Sequence, residues 1–147
     1  MAVLTDATRQ LLEADATLMA LATGGVWDAS EFDQNGLPVD SVTDDRGRMK
    51  PTIVLRWRGT TPAEIVGFSE RGYMEAYFYD DTGQTVIRQM MARVKLDLHL
   101  QRVTATGTGA NLFMWVDDFG EYVAEEMSKA AANMSRYLVR TTVIDRK

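Results

Sequence analysis

The hydrophobic period of this chain switches repeatedly between helical and strand spacing, and the order of those switches constrains the fold more tightly than any single residue. Between Leu4 and Ala22, the residues Leu4, Ala7, Leu11, Ala14, Leu18 and Leu21 recur at steps of three and four, which places them on one face of a helix. Thr5 or Asp6 is the expected start cap, and Gly24-Gly25 supplies the left-handed stop that helix ends favour. From Pro51 to Arg58 the period drops to two: Ile53, Leu55 and Trp57 face one way, and Val54, Arg56 and Arg58 the other. Arg71 to Tyr79 repeats that alternation, with Met74, Ala76 and Phe78 set against Tyr73, Glu75, Tyr77 and Tyr79. Its second face is aromatic rather than charged. Asp80-Asp81-Thr82-Gly83 ends this strand, Asp81 or Thr82 is the expected cap, and Ile87, Met90, Met91, Val94 and Leu98 return to helical spacing as far as about Leu100.

The remaining segments are less regular. Val26-Trp27 opens a short strand. Asp28 to Lys50 is polar, carries Asn35-Gly36, Pro38 and Gly47, and reads as a long loop or an extended hairpin. Thr104 to Gly109 is a turn, Leu112 to Val116 a strand, Asp117 to Lys129 an acid-rich stretch without a clear period, and Met134 to Ile144 a closing strand. Neighbouring strands with short connections pair antiparallel, and two amphipathic helices each need a surface for their apolar stripe. The fold class expected is therefore α+β: a mainly antiparallel four- to five-stranded sheet, two helices packed on one face, and a long acidic loop. With 147 residues, 46% of them apolar, a single domain over 1–147 is sufficient to bury one core.

Composition removes several classes of function. There is no Cys, hence no disulfide, thiolate nucleophile or Cys-ligated metal. His99 is the only histidine, so a His-based triad or His-rich metal site has no second member. Sixteen basic residues against 21 acidic ones give a net charge of −5, which opposes tight DNA binding through phosphate neutralisation. No apolar run approaches the ~20 residues of a spanning helix, and no basic segment followed by an apolar stretch marks an export leader.

Motif by motif, catalytic chemistry finds little support. Asp80-Asp81 and Asp117-Asp118 are acid pairs at strand ends, where a solvated turn or helix cap is the more economical reading than a metal site. In Asp33-Gln34-Asn35-Gly36 the glycine comes too early for a calcium loop, and the closing Glu is missing. Gly107-Thr108-Gly109 has no Lys-Ser/Thr after it and runs into a strand rather than a helix. The nine Met residues fit adaptable core filling, Met90 and Met91 falling near the helix stripe. No enzyme activity, cofactor or metal is expected. Tyr73, Tyr77 and Tyr79 form a strand face that is covered either by the protein's own second layer or by a neighbouring subunit.

The order of elements resembles that of the small tail-terminator, or tail-completion, proteins of long-tailed bacteriophages. The resemblance begins at Leu11-Leu12-Glu13-Ala14-Asp15 and runs through Leu18-Met19-Ala20-Leu21 to Gly24-Gly25-Val26-Trp27. It continues in Lys50-Pro51-Thr52-Ile53-Val54-Leu55, in Tyr73-Met74-Glu75-Ala76-Tyr77-Phe78-Tyr79-Asp80 with the helix that follows, and in Ser135-Arg136-Tyr137-Leu138-Val139-Arg140-Thr141-Thr142-Val143. The Asp28 to Arg48 stretch and the acidic Asp117 to Glu126 segment depart from the family's pattern in length or charge.

The resemblance implies a virion protein, assembled in the host cytoplasm, that forms a hexameric ring on the last ring of the tail tube. Such a ring ends tube polymerisation and joins the tail to a head-side connector or stopper protein. Its partners would be its own copies, the tail-tube protein, that connector, and DNA passing through the lumen without tight binding. No membrane is involved. A subunit ~40 Å across leaves a hole of about one subunit width in a ring of six, wider than a duplex. On this reading Arg56, Arg58 and Arg140 pair with acids of a neighbour, Tyr73, Tyr77 and Tyr79 contribute to the subunit interface, and the block Asp28, Glu31, Asp33, Asp40, Asp44 and Asp45 faces the lumen or docks on the next ring. The alternatives are another neck or tube component, such as a head-completion or tail-tube protein, and a small divalent-metal hydrolase using Asp80, Asp81 and Asp117.

Overall fold

In the computed structural model, which describes residues 2–28, 42, 44–46, 48–62, 69–81, 83–100, 102–104, 111–124 and 132–144, one sheet runs through the molecule. Its elements are α1 (Ala2–Glu13), α2 (Ala16–Leu21), β1 (Val26–Asp28), β2 (Thr52–Pro62), β3 (Ser69–Asp80), α3 (Thr85–Leu98), β4 (Arg102–Thr104), β5 (Asn111–Ala124) and β6 (Ala132–Ile144). The sheet has six strands in the order β1-β2-β3-β6-β5-β4. All neighbouring pairs are antiparallel except β1 with β2, which are parallel.

The α+β class expected from the sequence is the class observed, with differences of detail. Six strands replace the expected four or five because of the three-residue β4; the acid-rich stretch from Asp117 to Ala124 continues β5, which lengthens that strand without adding another. A three-residue strand is too short to show a period, and Asp117, Asp118 and Glu121 interrupt the alternation of β5.

The single N-terminal helix expected from Leu4 to Ala22 is two helices. Asp15 takes an extended conformation, φ −84° and ψ 99°, and its side chain accepts hydrogen bonds from the Thr17 and Leu18 backbone N–H groups at 3.0 and 3.2 Å. It therefore caps a new helix and shifts the phase of the apolar stripe. Leu12 and Leu18 are fully buried, whereas Ala14, expected in the stripe, is exposed. Neither Thr5 nor Asp6 begins a helix, since α1 already starts at Ala2. At α3 the N-cap position is held by Gln84 with no side-chain capping bond, so Asp81 does not cap it; Thr82 lies outside the described residues.

Alternation assigns the faces as expected on β2 and β3. Ile53 lies opposite Phe78, Leu55 opposite Ala76 and Trp57 opposite Met74, and these residues form one core with Leu12, Leu18, Val26 and the α3 stripe Ile87, Met90, Met91, Val94 and Leu98. All three helices thus bury their stripes on the same side of the sheet. Tyr137 of β6 joins this core, meeting Phe78 edge to face with ring centroids 5.3 Å apart at 80°.

The return from α2 into the sheet depends on a close backbone approach. Gly24 N–H donates to the Pro51 carbonyl at 2.8 Å, Ile53 N–H donates to the Gly25 carbonyl at 3.0 Å, and the Trp27 indole N–H donates to the Gly24 carbonyl at 2.8 Å. A Cβ at Gly24 would fall 2.1 Å from the Thr52 hydroxyl oxygen and 3.0 Å from the Pro51 carbonyl oxygen. Gly25, at φ +89°, makes the left-handed turn. Gly24→Ala is expected to cost about 1–3 kcal/mol by overpacking, read as a lower denaturant midpoint in chemical unfolding; an unchanged midpoint would show that the seam relaxes freely.

Candidate assembly surface

The described residues bring no cluster of three or more His, Asp or Glu together as a metal site, and none of the described helices is long and apolar enough to cross a membrane. The acids singled out from the sequence are spread along the sheet. Asp80 lies opposite Asn133 and Asp117 opposite Leu138, which separates them by roughly 17 Å along β6. Asp80 is buried at the end of β3. His99 is the C-cap of α3, its backbone N–H donating to the Lys95 carbonyl at 2.9 Å.

What the strand arrangement does offer is edges. β1 pairs only with Ile53–Leu55 of β2, and β4 only with Asn111–Phe113 of β5. Among the described residues no strand pairs with the outer side of Arg56–Pro62 in β2 or of Met114–Ala124 in β5. The open part of β2 leads to Pro62, in register with Glu70, whose β6 partner Val143 pairs with Leu112. The open part of β5 leads the other way, past Tyr122, in register with Met134 and Tyr79. The two edges are therefore on opposite sides of the sheet and at opposite ends. Such an edge offers a row of backbone donors and acceptors to a further strand.

Two bulges shape these edges. Arg58 has no Cα partner between Trp57, opposite Met74, and Gly59, opposite Tyr73. The alternation expected to carry Arg56 and Arg58 outward together is therefore interrupted at Arg58, the extra residue of a bulge. In β5, Phe119 and Gly120 stand against the single residue Arg136. Bulges bend a strand and raise its twist, which suits an edge that meets another molecule.

Of the other interface residues expected from the sequence, Arg56, Tyr73, Tyr77 and Tyr79 lie on the sheet face away from the helices. Arg56 is exposed and opposite Glu75, which is 4% exposed. Tyr73 and Tyr77 are half-buried and Tyr79 is buried; the rings of Tyr77 and Tyr79 stack at 6.3 Å and 14°. Arg140 has register partners Tyr73 and Trp115. The register thus gathers Arg56, Tyr73, Tyr77, Tyr79 and Arg140 onto adjacent strands, around the buried Glu75.

The described members of the acid block differ in their surroundings. Asp28 is buried at the end of β1, while Asp44 and Asp45 are exposed. Glu31, Asp33 and Asp40 lie outside the described residues. Asp44 closes a turn, its carboxylate accepting from the Arg46 and Arg48 backbone N–H groups, both at 2.9 Å. Those bonds, that from Arg48 foremost, hold its carboxyl below the ordinary value, helped by both arginine charges and opposed by partial desolvation.

Sequence reading missed one charged cluster, formed by Asp15, Arg93 and Asp97 where the α1–α2 elbow meets α3. The Arg93 guanidinium donates to both Asp15 carboxylate oxygens, Nε to Oδ2 and Nη2 to Oδ1, each at 3.0 Å. The only signal in the sequence was Asp15 itself, set where the helical phase breaks.

No family model matches this chain, and no curated protein does either. Among solved structures, the chain is similar to one from the virion of a native gene transfer agent (GTA) particle, with a TM-score of 0.60 and 16% sequence identity, over 95% of this chain and 92% of that chain. At that identity the likeness concerns the fold, and it spans nearly the whole of both molecules.

Because Arg56 faces Glu75 across β2 and β3, a charge reversal there puts two acids directly opposite each other. Arg56→Glu is expected to cost the isolated chain about 1 kcal/mol more than Arg56→Gln, seen as a lower melting temperature. Equal stabilities would show that Arg56 lies beyond the reach of Glu75.

Proposed function

We propose that this chain is a phage-type virion structural protein that assembles as a ring at the head-proximal end of a tail tube, ends tube growth and joins the tail to a head-side connector. The observation that carries the virion reading is the fold likeness to the GTA virion chain over nearly the full length of both. Two features support a ring. The edges of β2 and β5 left without an outer strand among the described residues are different surfaces on opposite sides of one sheet, so a contact between them is head-to-tail and gives a ring where the rotation between copies closes. Arg56, Tyr73, Tyr77 and Arg140 lie on adjacent strands and would meet a neighbour's acids and apolar groups, with the buried Tyr79 stacked on Tyr77. Single exposed pairs of that kind add little energy and chiefly set register.

On this reading the work is mechanical rather than catalytic. A net charge of −5 keeps passing DNA from adhering to the ring. The exposed Asp44 and Asp45 turn is the described part of the acid block that would face the lumen or an adjacent ring. The tail terminus is favoured over a place within the tube by the sequence resemblance to tail terminators.

The two roles separate in a growth assay with the cognate tail-tube protein. A terminator added to polymerising tubes shortens them and is found once per tube, at one end, in electron micrographs; lengthened tubes that incorporate the chain throughout would make it a tube subunit. Arg56→Gln combined with Arg140→Gln is expected to weaken end-capping at least tenfold while leaving the melting temperature of the isolated chain within about 2 °C. Full capping by that variant would remove these arginines from the interface.

A further inference from the structure

The register that builds the core also matches the two sides of the sheet row by row. Arg56 of β2 lies opposite Glu75 of β3, Glu75 opposite Leu138 of β6, and Leu138 opposite Asp117 of β5. One row across four strands therefore begins with a cation and ends with an anion. The next three rows end in Trp57 and Val116, in Gly59 and Trp115, and in Thr60 and Met114. All four begin within Arg56–Pro62 and end within Met114–Ala124, the stretches without an outer strand among the described residues.

The two stretches also carry opposite charge. Arg56–Pro62 holds two arginines and no acid, whereas Met114–Ala124 holds three acids and no base. Two β2 edges brought together would set like charges against each other, and so would two β5 edges. A β2 edge against a β5 edge pairs opposite charges, and the like pairings are disfavoured by the same residues.

Strand direction fits the same contact. Each of the pairs β2 with β3, β3 with β6 and β6 with β5 is antiparallel, so β2 and β5 run in opposite directions. When one copy follows another by rotation about an axis along the strands, the β2 of one comes beside the β5 of the next at the same level, and the two are antiparallel.

We propose that Arg56–Thr60 of β2 adds to Met114–Asp117 of β5 of a second copy as an antiparallel ladder, with Arg56 opposite Asp117, so that successive copies share one continuous sheet. This rests on the ring reading and adds to it the mode of contact and its register. Main-chain hydrogen bonds join the copies, and the row ends select the register. Arg56 against Asp117 is an opposite-charge pair, Trp57 against Val116 an aromatic and β-branched pair, and Gly59 against Trp115 sets an aromatic residue across from an edge glycine. A slip by one residue that set Arg56 against Val116 would lose all of these matches at once.

The chain has no Cys, so engineered cysteines report this contact without background. Within one copy Thr60 and Met114 are three strand spacings apart, about 14 Å, whereas a disulfide needs Cα atoms within about 7 Å of each other. A bond between cysteines at these positions therefore joins two copies. The test is oxidation of the full-length Thr60→Cys/Met114→Cys variant, which keeps Arg56 and Asp117, alone and with the cognate tail-tube protein, read by denaturing electrophoresis without reductant. The expected result is a series of disulfide-linked multimers that ends at the subunit number of the ring and collapses to monomer on reduction, with no crosslinking of Thr60→Cys alone. Dimers of that single variant would mean that β2 edges meet each other and would overturn the proposal. Rings of integral mass in native mass spectrometry whose chains run as monomers on the gel would overturn it too, while leaving the ring reading in place. An unsubstituted chain that never assembles would remove both. Should the first pair fail to fold, Arg56→Cys/Asp117→Cys, at the other end of the same ladder, decides in the same way.

Discussion

Everything in this molecule depends on the register of β3 between β2 and β6. That register sets Ile53, Leu55 and Trp57 against Phe78, Ala76 and Met74, and it brings Tyr137 against Phe78. The resulting apolar face is the surface on which all three helices bury their stripes. A slip by one residue would turn Tyr77, Tyr79 and Glu75 toward the helices and expose the core. The same register places Arg56 opposite Glu75 and Arg140 opposite Tyr73, so the residues proposed for assembly are positioned by the core pairing itself.

Much of this was legible in the sequence because the strands and helices with clear periods are those with one buried face. On β2, β3 and α3 the residues expected inward are buried, Trp57 only partly, while Val54, Glu75 and Tyr79, expected on the other face, are buried as well. Where sequence reading went wrong, a local interaction overrode the period. Asp15 splits a helix because its carboxylate satisfies two N–H groups and also meets Arg93 from far along the chain, a partner that no local pattern reveals. Arg58 departs from the alternation of β2 because a bulge depends on the opposing strand. β5 was half hidden because its later residues are acidic, and strand propensity gives them no distinct signature.

The proposed interface was legible only in part. Spacing identified Arg56, Tyr73, Tyr77, Tyr79 and Arg140, but it could not show that they lie on adjacent strands, which is a property of the long-range pairing of β3 with β6. That Arg56–Pro62 of β2 and Met114–Ala124 of β5 have no outer strand among the described residues was not visible at all, since an edge is defined by where a neighbouring strand stops. The acid block illustrates the reverse. It looked like one feature in the sequence, yet Asp28 is buried in a strand while Asp44 is exposed and engaged in a turn.

The central claim is that two dissimilar sheet edges make this chain a subunit of a closed ring, and native mass spectrometry of the purified full-length chain, alone and with the cognate tail-tube protein, measures it directly. The account predicts a single discrete oligomer whose mass is an integral multiple of the 16.5 kDa chain, formed alone or on the tube end, with no open-ended series above it. A chain that remains monomeric in both conditions, or that forms only symmetric dimers, would contradict it.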